Sequence, residues 1–258
     1  MTRLVVIAAM AGELKPLVHG WRHERRNGID LWRWRSEKGE WVAACAGAGV
    51  DAATRAFAEA EKDGAFDLAI SIGWAGALNS AYQPGQAYRV RGVIDARSGE
   101  RFPADSSERF PRSQNRGLGH PDFSDFPGLW LVTSPKVADE AEKRRLAAAY
   151  GAGLVDMEAA AIARLAAMRG IPFYCVKGVS DGTTDQLPDF NRFISENGQF
   201  QLVRFIVFAI LRPRHWPALM RMGENSRKAA QGIRESLLEI LDGPGAIRRR
   251  NGNTNLKH

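Results

Sequence analysis

Cysteine is scarce. The 258 residues hold two, Cys45 and Cys175, each inside an apolar run that reads as a strand. So few thiols, so placed, exclude a disulfide scaffold and read as reduced core residues of a cytosolic chain. Neither a CxxC nor an HExxH spacing occurs, so the short motifs that hold zinc are missing and no metal is expected. Long hydrophobic runs are missing as well. The longest late one, Phe205 to Leu211, falls far short of the roughly 20 apolar residues that span a bilayer. The early run LVVIAAMAG has only Arg3 before it and Glu13 and Lys15 close behind, so a first core strand is expected there rather than a secretory leader. No internal repeat is seen.

Hydrophobic residues make up 45% of the chain, enough for one large, well-buried α/β domain. The net charge of +7 is unevenly placed: Arg204 to His258 hold eleven Lys or Arg against four Asp or Glu, which is the whole excess. A basic segment of this kind points to a lipid surface or a nucleic acid. Phe205, Phe208, Trp216, Leu219 and Met220 stand among Arg204, Arg212, Arg214 and Arg221. That mixture suits an amphipathic interfacial element, with Arg212, Arg214 and Trp216 facing a membrane, and makes nucleic acid the less favoured partner. The plainer alternative is a helix packed on the domain or on a subunit partner.

Strands are expected at Arg3–Ala9, Ile29–Trp34, Trp41–Ala46, Asp67–Ile72, Gln86–Ile94 and Leu129–Val132, with a hairpin at Lys38-Gly39. A short helix toward His19 follows the first strand, which puts Glu13 just past that strand's carboxyl end. Gly47, Gly49 and Ala52 match a GxGxxG/A spacing after a strand and before a helix. No acid closes the next strand, so a glycine turn that lets a ligand or phosphate approach backbone N–H groups is favoured over a dinucleotide site. Ala96 to Pro127 is polar and aperiodic, which reads as a functional lid or a disordered segment. Asp139–Tyr150 reads as an amphipathic helix, and Phe200–Leu211 and the residues after Pro213 as further helices.

The organising stretch is Gly153 to Asp181, GLVDMEAAAIARLAAMRGIPFYCVKGVSD. It reads as strand, Ala-rich helix, strand, with Gly170 as the helix C-cap. Ligands of parallel α/β sheets sit at strand carboxyl ends, so Glu158 and Asp181 should face one crevice. The alternative is that Glu158 complements a helix N-terminus and Asp181 caps a turn.

Together the segments MAGEL, GAGVDAA, SIGWAGAL, LNSAYQPGQ, VDMEAAAIA and VSDGT resemble the nucleoside phosphorylase and nucleosidase family that includes methylthioadenosine/S-adenosylhomocysteine nucleosidases, over about Arg3 to Asp181. DQLPDF and LRPRHWPALMRMGENSRKA resemble the C-terminus of its hopanoid-associated phosphorylases. The resemblance implies a three-layer α/β/α fold around a twisted mixed sheet, over residues 1–199. It implies a C-terminal amphipathic helical extension over 200–245; residues 246–258 read as a disordered basic tail.

It also implies cleavage of the N-glycosidic bond of a 5′-substituted adenosine. In the hopanoid-associated subgroup this is release of adenine from adenosylhopane. The alternatives are a methylthioadenosine/S-adenosylhomocysteine nucleosidase and a non-catalytic nucleoside- or lipid-binding protein. Carried over by motif, Asp181 is the general acid at the purine and Glu13 the carboxylate that holds the attacking water. Glu158 binds the ribose hydroxyls and Met157 packs under the ribose. Asp156, Gly73, Trp74 and Ser180 are the remaining substrate contacts. No cofactor is implied; phosphate is the candidate co-substrate. Where relatives keep phosphate arginines this chain has Ala or Gly in the turn and Ser71 and Trp74 in SIGWAG, leaving Arg55, Lys177 or an arginine of the 96–127 stretch to serve. The family further implies a homo-oligomer, and the tail a cytoplasmic enzyme meeting the inner membrane face.

Overall fold

The computed structural model describes residues 2–37, 39–104, 128–185, 188–195, 198, 200, 201, 204, 205, 207, 208 and 211–242. Its centre is a sheet whose inner strands are apolar on both faces. In β1 (Thr2–Ala8), Leu4, Val6 and Ala8 join one core while Val5 and Ile7 join another. The next strands are β2 (Arg22–Arg26), β3 (Ile29–Ser36) and β4 (Gly39–Cys45). In β4 the same alternation holds, with Ala43 and Cys45 opposite Val42 and Ala44. Continuous apolar runs in these strands follow from successive side chains pointing to opposite, equally covered faces.

The covering helices are α1 (Ala11–Leu14), α2 (Val50–Glu61), α3 (Glu140–Tyr150), α4 (Ala159–Arg169) and α5 (Trp216–Asp242). Alanines of α2 and α4 share a core with Val5 and Ile7. Leu14 of α1 and Ile233 and Leu237 of α5 share the opposite one with Leu4 and Val6. Leu146 of α3 packs on Val132 and Val155, on that same second face. The result is the three-layer α/β/α arrangement with a mixed sheet.

Strands β5 (Leu68–Ala77), β6 (Ala87–Arg89), β7 (Gly92–Asp95), β8 (Arg101–Pro103), β9 (Trp130–Thr133), β10 (Leu154–Asp156) and β11 (Phe173–Asp181) complete it. The order is β2-β3-β4-β1-β5-β10-β9-β7-β8, with β11 paired to β5 and β6. The long β5 organises the middle. It runs parallel to β1 over its first half, antiparallel to β10 at Gly76 and Ala77, and parallel to β11 from Ala69 to Gly76. Hence the carboxyl ends of β1, β10 and β11 gather along the second half of β5.

The structure corrects several expected boundaries. β5 continues past Ile72 to Ala77, because β11 and β10 supply partners along it. The single strand expected over Gln86–Ile94 is two: β6 pairs antiparallel with β11, and β7 parallel with β9. Within the stretch read as an aperiodic loop, β8 pairs antiparallel with β7 and buries Phe102. Residues 105–127 of that stretch, and the 246–258 tail, lie outside the described residues. After Pro213 one 27-residue helix forms, and it is no mere appendage. Gly178 of β11 leaves room for it: a Cβ there would stand 2.7 Å from the Ala229 Cβ and 3.1 Å from Ile233 Cδ1. Among the described residues no helix is long and apolar enough to cross a membrane.

Candidate active site

Glu13 lies in the one turn of α1, where the chain leaves β1. Its carboxylate folds back over the strand end. Oε2 accepts the N–H groups of Ala9 and Met10, each at 2.9 Å, and Oε1 accepts that of Trp74 at 3.0 Å. Burial raises its pKa above the ordinary 4.5, against the lowering effect of those backbone donors. Gly73 explains how the carboxylate fits. Its φ is 135°, and a Cβ would lie 2.9 Å from Glu13 Oε1, so both the backbone angle and the space demand glycine.

The VDME segment turns from β10 into α4. Glu158 stands at the N-cap of α4 but its side chain makes no cap hydrogen bond to that helix. Its Oε1 accepts Gly49 N–H at 2.7 Å and its Oε2 accepts Met157 N–H at 3.3 Å. Burial, with the nearby Asp156 charge adding to it, pushes the Glu158 pKa up to about 8. Asp156 does something else. Thr133 Oγ1 donates to its Oδ1 at 2.7 Å; Ala159 N–H and Lys177 Nζ reach its Oδ2, each at 2.9 Å. This side chain ties α4 to β9 and β11 and pairs with Lys177, and the residue also borders the cavity that Glu158 lines.

Asp181 ends β11 just after a register shift that sets Ser180 aside. Ser180 Oγ donates to its Oδ1 at 2.6 Å, and Lys143 Nζ to its Oδ2. Lys143, only 3% exposed, also donates to the Gly182 carbonyl at 2.5 Å. From α5, Asn225 Nδ2 donates to the Ser180 carbonyl at 3.3 Å, so the C-terminal helix touches this corner directly.

Glu13, Trp74, Met157, Glu158, Ser180 and Asp181 all line one cavity of about 370 Å³. Gly73 lies behind it, under Glu13. The remaining wall is mainly apolar: Met10, Val137, Phe190, Ile194, Phe200, Phe205, Leu219 and Met222. Arg212 and Arg214 are exposed and do not line it; Trp216 is 49% exposed.

The glycine turn is not an open anion nest. Gly47 N–H goes to the Ala9 carbonyl, Ala48 N–H to the Gly198 carbonyl and Gly49 N–H to Glu158. These three donors are engaged within the protein. Of the two numbered phosphate candidates, Lys177 is engaged by Asp156 and the Ile72 carbonyl, and Arg55 does not line the cavity. Both cysteines are free and buried, their thiols pushed up to about 12 by burial, which leaves them unreactive.

Lys143 is the polar residue that the sequence reading passed over. It shares the inward face of α3 with Leu146, three residues on. A lysine on the apolar side of an amphipathic helix was the available signal.

A fold of this order, with buried carboxylates where β1, β10 and β11 end, defines a class. Residues 3–130 and 126–203 match the profile of the phosphorylase superfamily. The chain belongs to that superfamily and is one of its enzymes.

Solved structures agree on the fold. Futalosine hydrolase of Helicobacter pylori strain 26695 superposes with a TM-score of 0.66 at 14% identity, covering 93% of this chain and 97% of that one. A 5′-methylthioadenosine/S-adenosylhomocysteine nucleosidase of Helicobacter pylori gives 0.65 at 14% identity, covering 93% and 98%. The same enzyme from Neisseria meningitidis, in complex with methylthio-immucillin-A, gives 0.65 at 18% identity, covering 93% and 99%. No curated protein sequence matches.

Proposed function

We propose that the chain hydrolyses the N-glycosidic bond of a 5′-substituted adenosine whose 5′ group is bulky and apolar, of the adenosylhopane kind, releasing adenine. The observation that carries this is the make-up of the cavity: the carboxyl groups of Glu13, Glu158 and Asp181 share its lining with Trp74, Phe190, Phe205, Leu219 and Met222. A nucleoside with a long apolar substituent combines the same two kinds of surface.

The chemistry is then as follows. As C1′–N9 breaks, its electron pair moves onto the purine and positive charge grows on the ribose. Asp181 transfers a proton to the departing base. Water bonds to C1′ and gives its proton to Glu13. Glu158 holds the ribose hydroxyls, and Met157 packs beneath the ring. A carboxylate beside the ribose stabilises the positive charge that grows there as the bond breaks.

Water is favoured over phosphate for a further reason. Three backbone donors at the end of β1 and β5 already hold the Glu13 carboxylate, in effect an internal anion. Among the described residues the cationic side chains lining the cavity are Lys143, paired with Asp181, and exposed Lys136.

A lipid-water interface is the proposed working place. Of seven large apolar side chains left exposed among the described residues, four lie at 207–220: Val207, Leu211, Trp216 and Met220. Exposed Arg204, Arg212, Arg214 and Arg221 surround them. A second copy of the chain would cover Met10, 40% exposed at the cavity mouth; the proposal includes such a homo-oligomer.

The test is kcat/KM for adenine release along a series of 5′-alkylthioadenosines in detergent or lipid. The reading predicts a rise with alkyl length, each buried methylene being worth about 0.8 kcal/mol. A flat or falling series would return the chain to the methylthioadenosine nucleosidase reading, and tight binding without adenine release to the non-catalytic one.

A further inference from the structure

Lys143 has no part in the reaction as just written, yet it is among the most buried charges in the molecule. Its ammonium reaches across from α3 to Asp181 on β11 and to the Gly182 carbonyl, and it lines the cavity. Burying a lysine is costly unless it is paired and hydrogen-bonded. Here pairing is bought with a second accommodation: Gly76 of β5 lies directly beneath. A Cβ at Gly76 would stand 3.0 Å from Asp181 Oδ2 and 3.1 Å from Lys143 Cε. Three elements are thus shaped around one contact. Ser180 Oγ occupies the other oxygen of Asp181, so each carboxylate oxygen carries one donor and the plane of the carboxyl group is fixed.

We propose that Lys143 is the positioning residue of the leaving-group acid: its ammonium fixes the Asp181 carboxyl toward the purine and stabilises the carboxylate that Asp181 becomes when its proton passes to the departing base. This rests on the function proposed above. The step balances without another reagent. Asp181 takes a proton from solvent before bond breaking. The C1′–N9 pair moves to the base, a ring nitrogen takes the Asp181 proton, and Lys143 keeps its own protons throughout. A fixed cation in a dry pocket acts on the developing charge with no reorganisation at the moment of reaction.

The experiment compares two substrates with the same long-chain 5′-alkylthioribose, in detergent. One releases adenine, which needs a proton to leave; the other releases 4-nitrophenolate, which does not. The variants are Asp181→Asn, Lys143→Met and Lys143→Gln, with thermal melts to check folding; the glutamine keeps a donor and serves if the methionine variant fails to fold. Losing general acid assistance costs about 10²–10⁴-fold. The predicted result is that the nitrophenyl-to-adenine rate ratio rises at least 10²-fold in Asp181→Asn and in the same direction, by about 10-fold or more, in both Lys143 variants. Lys143→Arg, which keeps the charge, returns the ratio part of the way to the wild-type value.

A Lys143 that only holds the fold together slows both substrates alike, and an unmoved ratio beside a shifted Asp181→Asn ratio overturns the proposal. An unmoved ratio in Asp181→Asn itself removes the acid that Lys143 is said to serve. Wild-type protein that releases neither leaving group overturns the underlying function.

Discussion

Glu158 carries the sharpest consequence at the scale of a single residue. Its pKa rises from the ordinary 4.5 to about 8 on folding, through burial and then through Asp156. Between those values the folded chain holds a proton that the unfolded chain has lost, so stability contributed by this group is present at low pH and drains away as pH climbs from about 4.5 to about 8. Wild-type melting temperature should therefore fall across this window, and Glu158→Gln should flatten the fall while still accepting the Gly49 N–H. Parallel melting curves for the two proteins would show that Glu158 ionises in the fold as it does in water. The residue types and strand-end positions of Glu13, Glu158 and Asp181 were legible in the sequence, because acids at the ends of buried strands stand out. Their partners were not. Asp156 borders the cavity and is also ion-paired with Lys177 from another strand, a partner that nothing local in the sequence reveals. Lys143 reaches Asp181 across 38 positions, a pairing that only the packing of α3 on the sheet creates.

Among the elements, α5 joins two tasks. Its C-terminal half is core: Ala229, Ala230, Ile233 and Leu237 are buried against β6, β11 and the inner strands. Its first turns are wall and surface, with Leu219 and Met222 in the cavity and Trp216 and Met220 outside it. The two periodicities overlap in one helix, which is why the sequence allowed either a packed or an interfacial reading; the structure contains both faces. Replacing Arg212, Arg214 and Arg221 with Glu should weaken binding to anionic vesicles by roughly 10²-fold or more, since each cation near such a surface is worth about 1 kcal/mol. Cosedimentation with phosphatidylserine vesicles reads this out. Unchanged binding would assign the patch to a subunit contact, for which the sedimentation coefficient of the wild type is the companion observation. Long-range pairing also explains the missed strands. β6 and β7 look like one run until Val90 and Arg91 redirect the chain, and β8 is too short to show a period before β7 supplies its partner.

For the whole molecule, the layered α/β architecture was readable because apolar runs and an Ala-rich helix alternate along the chain; the sheet order was not, since β11 returns to β5 across roughly a hundred residues. That return is what brings Asp181 to the cavity that β1 opens and β10 borders. On the proposed function this cavity uses water as the nucleophile. Its three β1-end and β5 donors hold Glu13, and its glycine turn is spent on internal contacts. Adenine release from a 5′-alkylthioadenosine should therefore proceed at the same rate with and without phosphate and yield the free reducing sugar. Glu13→Gln should lose the reaction in both conditions. A rate that requires phosphate, with the sugar 1-phosphate appearing in the phosphorus NMR spectrum, would contradict the account.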